Sequence, residues 1–257
     1  MIKKYLFVFG MFRSGTTLIS KILSSNNKIV VASDPYFQFF KSFRNEIALT
    51  ICKKKKFDLN SPLDDYFFKK KNKILNQIEN KTFNLKINKV LLNKTIKNIK
   101  NFSKRDSEKI IPYLSKVKSQ NYKDLLEKLI EVINIAYGNK STKYVGFKTV
   151  FAEEFIQTIF RTFNNSKCIC IIRDPRAIYA SQVKFAEKNK FCYPILYVVR
   201  HWRKSIYFIR KNSKKKNLML IRYEDLIKNP EKNVIKLCNF LNIKFSRSMI
   251  NPKKFKD

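Results

Sequence analysis

Acidic residues are scarce: 19 Asp and Glu stand against 55 Lys and Arg in the 257-residue chain, a formal net charge of +36. That imbalance argues against a cationic ligand and for an anionic one, whether a nucleotide, an acidic polymer or a membrane surface. Cysteine is sparse as well. Cys52, Cys168, Cys170, Cys192 and Cys238 are odd in number, lack CxxC spacing and have no histidine near them. Neither a disulfide framework nor a zinc site is indicated, and a reducing compartment fits best. Long apolar runs are missing too. Residues 5–9, Tyr-Leu-Phe-Val-Phe, stop at Gly10, too short for a signal core or a membrane span. The expectation is a soluble, cytoplasmic protein with no transmembrane segment.

What is there is enough for a full core. With 44% hydrophobic and 14% aromatic residues, the length suits one α/β domain over residues 1–257. Lys, Asn, Ile and Phe are abundant throughout, as an AT-rich genome would produce. The lysine runs at 53–56, 69–71 and 214–216 therefore read as solvated faces rather than nucleic-acid footprints.

The order of elements can be read from hydrophobic periodicity. The apolar run 5–9 reads as a buried strand, and Leu18, Ile19, Ile22 and Leu23 have helical spacing. A second strand, Ile29 to Ala32, ends at Asp34-Pro35, where proline forbids continuation. Residues 36 to about 140 carry polar helices with apolar stripes, a helical insertion after the second strand that would cover the site. Strand–helix alternation then returns: strands at 144–147, 168–172 and 218–221, helices at 153–162, 175–188 and 230–241. The expectation is a P-loop-like parallel β-sheet flanked by helices.

Two segments carry the chemistry. Gly10-Met11-Phe12-Arg13-Ser14-Gly15-Thr16-Thr17 joins a strand to a helix with the GxxxxG spacing of a phosphate loop. Its backbone N–H groups and the helix N-terminus would converge on one anion. The Lys by which an ATP-binding loop grips its phosphates is replaced by Thr16, which counts against an ordinary NTPase. The second segment is Ile171-Ile172-Arg173-Asp174-Pro175-Arg176, at a strand's carboxyl end, with Ser181 on the helix beyond. Ligands bind outside such strand ends, and an Arg fork with a hydroxyl can hold a second phosphate. A plain Arg173–Asp174 surface pair is the alternative.

Together with Arg222-Tyr223-Glu224-Asp225-Leu226 and Asn229-Pro230, these segments resemble the PAPS-dependent sulfotransferases, in the family's order and spanning residues 5 to 241. Those enzymes use 3′-phosphoadenosine 5′-phosphosulfate (PAPS) and release 3′-phosphoadenosine 5′-phosphate (PAP). The resemblance implies that Arg13, Ser14, Gly15, Thr16 and Thr17 hold the 5′-phosphosulfate, and that Arg173 and Ser181 hold the 3′-phosphate. Tyr223 is implied near the adenosine or, alternatively, is a core tyrosine. Glu224 and Asp225 are structural in this reading.

Small-molecule sulfotransferases resemble the chain around Phe147-Lys148-Thr149, but their catalytic histidine falls at Val150 here. The general base must come from elsewhere. His201, between Arg200 and Trp202, reads as structural or surface. Asp34 matches the offset of the catalytic glutamate of tyrosylprotein sulfotransferases, one methylene shorter, and is the candidate base; a helix cap or Asx turn is its alternative role. Lys148 matches the family lysine that stabilises the breaking bridging bond, and Arg13 can share that work. No metal is expected. The acceptor would be a carbohydrate or a peptide tyrosine, held by the insertion with aromatics such as Tyr36, Phe37, Phe39 and Phe40. Rival readings are a small-molecule kinase using ATP with Mg²⁺ and a basic nucleic-acid-binding protein; no specific nucleic-acid partner is expected.

Overall fold

The computed structural model describes residues 4–51, 57–62, 67, 72–104, 107–190 and 192–251. Five strands, β1 (Lys4–Gly10), β2 (Ile29–Ser33), β3 (Tyr144–Val150), β4 (Ser166–Ile172) and β5 (Leu218–Arg222), form one parallel sheet in the order β2-β3-β1-β4-β5. Every carboxyl end thus lies on one edge, with β1 in the middle.

Period-2 alternation sends side chains to both faces, and both faces are covered. Phe7, Phe9, Val30, Ala32, Val145, Phe147, Cys168 and Cys170 face one layer. Leu6, Val8, Ile29, Val31, Ile169, Ile171 and Ile221 face the other. The second face packs against α1 (Thr16–Ser24) and the helix Pro230–Leu241.

The first face is covered by helices between β2 and β3: α2 (Phe37–Ile51), α3 (Asn72–Asn80), α4 (Lys89–Ser103), the short α5 (Ile111–Leu114) and α6 (Tyr122–Tyr137). Asparagine, so common in the chain, starts two of them. Asn88 Oδ1 accepts from Leu91 N at 2.8 Å and Asn121 Oδ1 accepts from Asp124 N at 2.9 Å. After β3 come α7 (Ile156–Thr162), α8 (Pro175–Asn189), α9 (Ile195–Asn212), α10 (Tyr223–Lys228) and α11 (Pro230–Leu241). Among the described residues no helix is long and apolar enough to cross a membrane.

One expectation fails here. Tyr36, Phe39 and Phe40 are fully buried core residues, so they do not wait for an acceptor. Tyr36 Oη donates to Leu129 O at 2.6 Å, and Phe40 packs on Phe155 at a ring-centroid distance of 4.8 Å. The half-buried Phe37 stacks on Phe102. The reason is simple: the apolar stripe of α2 faces the sheet, and an aromatic stripe looks the same in sequence whether it meets core or ligand.

At Gly146, paired with Leu6, β3 has no room for a side chain against β1. A Cβ there would lie 1.6 Å from Leu6 O, against backbone that cannot swing aside. Gly146→Ala is expected to destabilise the fold by more than about 3 kcal/mol, beyond ordinary overpacking. Urea denaturation checks this, and an unchanged midpoint would refute it.

Candidate active site

The loop after β1 turns through two left-handed residues, Arg13 (φ 61°) and Gly15 (φ 103°). Gly15 is required twice over: for that φ, and because a Cβ would come within 2.6 Å of the Tyr223 ring. The turn leaves the amino end of α1 without a side-chain cap, its first amides pointing out of the sheet's carboxyl edge. Beside it the Ser14 hydroxyl is buried with no hydrogen-bond partner. A donor that sits desolvated and unsatisfied next to an uncapped helix N-terminus suits an incoming anion.

β4 delivers Arg173 to the same place. Its Nη1 donates to Arg13 O at 3.0 Å, its guanidinium lies 4.1 Å from the centroid of the Tyr223 ring, and its Nε is buried without a partner. Ser181, on α8, accepts from Arg13 Nε at 3.2 Å. Asp174 is taken up otherwise than a surface pair with Arg173 would have it. It caps α8 by accepting from Arg176 N at 2.8 Å, and salt-bridges the Arg176 guanidinium, which holds its carboxyl down at about 2. Arg13, Gly15, Thr16, Thr17, Arg173, Ser181 and Tyr223, with Leu18, line one cleft of about 300 Å³. A larger opening of about 610 Å³ on α9 is lined by a single helix face and collects no strand ends.

Asp34 and Lys148 meet on the other side. Ser33 is in register with Lys148 where β2 ends beside β3, and Asp34 N donates to Lys148 O at 2.9 Å. Asp34 then turns left-handed (φ 45°), which brings its Oδ2 onto Lys148 Nζ in an ion pair whose side chains are 15% and 7% exposed. The insertion holds this bend from both flanks: Ser107 Oγ donates to Ser33 O at 2.7 Å and Ser103 Oγ to Pro35 O at 3.3 Å. A left-handed non-glycine residue persists only where its surroundings over-determine it. Arg13, by contrast, is exposed and turned toward α8, with its guanidinium 5.0 Å from the centroid of the Phe185 ring.

Several supporting contacts escaped the sequence reading, which names Glu224 only as structural. Trp202 Nε1 donates to Arg173 O at 2.8 Å, and Asp174 N donates to Glu224 Oε1 at 2.8 Å. Lys204 Nζ, on α9, pairs with the fully buried Glu154 at 2.7 Å and donates to Phe151 O at 2.7 Å, just past the end of β3. Burial pushes the Glu154 carboxyl up to about 7. His201 is 3% exposed, packed on Tyr197 and Phe151 with ring centroids 3.8 and 4.9 Å away. One signal was available: Glu153 and Glu154 are adjacent acids in an acid-poor chain, inside an apolar stretch. Among the described residues no cluster of His, Cys, Asp and Glu could hold a metal ion.

A family profile described as the sulfotransferase family matches residues 6–247. No curated protein matches significantly. Of solved structures, a sulfotransferase domain from the curacin biosynthetic pathway is 19% identical, with 100% of this chain and 79% of that one aligned at a TM-score of 0.55. The sulfotransferase domain of the Synechococcus PCC 7002 olefin synthase is 16% identical, with 99% and 78% aligned at 0.56. A sulfotransferase from Alicyclobacillus acidocaldarius is 12% identical, with 95% and 83% aligned at 0.52.

Proposed function

The chain belongs to the sulfotransferase family and has its α/β fold, and from that premise we propose that it carries the sulfuryl group of PAPS to an acceptor hydroxyl. The observation that supports this donor most is the pairing of two anion subsites in one cleft. The loop and α1 N-terminus make one, Arg173 and Ser181 the other, and the bond from Arg173 to Arg13 O joins them. The buried, unsatisfied Ser14 Oγ and Arg173 Nε suit a ligand with phosphate at both ends.

Transfer needs a base, an in-line path and a sink for charge on the leaving group. As the acceptor oxygen bonds to sulfur, its proton passes to Asp34, and the bond from sulfur to the bridging oxygen breaks with its electron pair leaving on PAP. Protonation neutralises Asp34, so the ion pair with Lys148 dissolves at the moment negative charge grows on the bridging oxygen. Lys148 is then released to that oxygen, and the loop amides and Arg13 stabilise the phosphate. The pair thus couples proton removal to leaving-group stabilisation. A carbohydrate hydroxyl is the first acceptor class and a peptide tyrosine the second.

The donor is tested by calorimetric titration with PAP, and with ATP and Mg²⁺, at moderate salt to screen the basic surface. Tight PAP binding supports the proposal, and binding of ATP alone would favour a kinase. Arg173→Ala is expected to weaken PAP by about 10- to 100-fold, the worth of charge-assisted bonds to one phosphate. Adenosine 5′-phosphosulfate, lacking the 3′-phosphate, should lose less than about threefold. Equal losses would mean that Arg173 does not read the 3′-phosphate.

A further inference from the structure

Strand order gives the reaction a direction across the sheet. The two anion subsites stand at the ends of β1 and β4, and Asp34 and Lys148 at the ends of β2 and β3, so the path from 3′-phosphate to base runs toward the β2 edge. Among the described residues no strand lies beyond β2 in the sheet. A groove of about 730 Å³ runs along that edge between α1 and the insertion. Thr17 lines both this groove and the donor cleft, and Ser33, at the groove's upper end, immediately precedes Asp34. Resting on the sulfuryl-transfer reading above, we infer that this groove is the acceptor site and that its ligand is an acidic oligosaccharide.

The charge of the walls sets the first half of that assignment. Lys21 on α1 and Lys104 and Lys109 past α4 face the groove, with Glu108 the one acid among its described lining residues. Tyr137 adds a ring at the far wall, beneath the Lys109 ammonium at 5.9 Å. Such a surface favours a ligand carrying regularly placed carboxylates over a neutral one.

The state of the β2 edge sets the second half. An acidic peptide would most simply dock by adding a strand, which needs free outward backbone groups. Four of the six outward groups of residues 29, 31 and 33 are occupied: Val31 N donates to Ser24 Oγ at 3.2 Å and Val31 O accepts from it at 3.5 Å, Ile29 N donates to Asn26 O at 2.9 Å, and Ser33 O accepts from Ser107 Oγ. With most of that edge taken up, recognition falls chiefly to hydroxyl, ammonium and ring groups of side chains, which suits a saccharide.

The test uses a fluorescein-labelled, unsulfated hexasaccharide of alternating uronic acid and N-acetylhexosamine, titrated by anisotropy with saturating PAP. Lys21→Glu/Lys109→Glu is compared with Lys214→Glu/Lys216→Glu, which makes the same charge change on exposed lysines outside the groove. The groove variant should bind about tenfold or more weakly than wild type, the control within about threefold. Unaltered PAP affinity in the groove variant reports that it is folded. No binding to wild type, equal losses in the two variants, or stronger competition by a neutral hexasaccharide or an acidic tyrosine peptide would each overturn the inference. Failure of wild type to bind PAP would instead remove the sulfuryl-transfer reading beneath it.

Discussion

Asp34→Asn is expected to lower kcat by about 10²- to 10⁴-fold, the span of a lost general base, while PAP affinity changes by less than about twofold. Asparagine keeps the shape and an oxygen toward Lys148, and tolerates the left-handed backbone that residue 34 adopts (φ 45°). It cannot take a proton. Lys148→Met should cost a comparable amount by a different route, because it removes the cation beside the bridging oxygen and takes the Lys148 ammonium away from Asp34. If the two act as a coupled unit, the double variant loses far less than the product of the single losses. Single-turnover rates with labelled PAPS measure the cycle. Full activity in Asp34→Asn would reduce residue 34 to a turn, and additive losses would uncouple the pair.

The sheet was legible because parallel strands buried on both faces read as continuous apolar runs, and Leu6 to Phe9 and Cys168 to Ile172 are such runs. The helix expected at 230–241 has those bounds, fixed by Pro230 at its start and Asn242 in the left-handed region at its end. Local signals also brought the phosphate loop and Arg173 to strand ends. What lay beyond reach was contact across the chain. Asp34 and Lys148 are 114 residues apart, and their pairing follows from the β2–β3 register, which neither local pattern reveals. The role of α9 was equally hidden. Its buried polar face, His201, Lys204 and Ser205, breaks an apolar stripe and weakens the pattern that would have marked it as packed. The β2 groove is made by three segments that periodicity places nowhere relative to one another.

Lys204→Met is expected to destabilise the protein by about 3–5 kcal/mol at pH 8, because it strands Glu154 in a dry interior. Glu154 is fully buried and Lys204 is 1% exposed, so water cannot replace either partner. The pH dependence distinguishes this from a simple packing defect. In the wild type the Glu154 carboxyl is raised from 4.5 to about 7, so between those values the unfolded chain releases a proton that the native state keeps. Stability from this group therefore falls as pH rises through that window and levels above it. Without Lys204 the carboxyl loses the counter-charge that holds it down, and the fall continues above pH 7. The variant should accordingly lie closest to wild type near pH 5 and furthest at pH 8, as read by urea denaturation. Glu154→Gln should abolish the slope between pH 5 and 7. A Lys204→Met defect equal at all pH values would show that the ammonium acts by packing alone. The same clamp reaches the chemistry, because Lys204 Nζ also holds Phe151 O at a left-handed turn (φ 62°) three residues past Lys148. Loss of kcat in folded Lys204→Met with unchanged PAP affinity would identify α9 as the support that keeps the end of β3, and the lysine on it, in place.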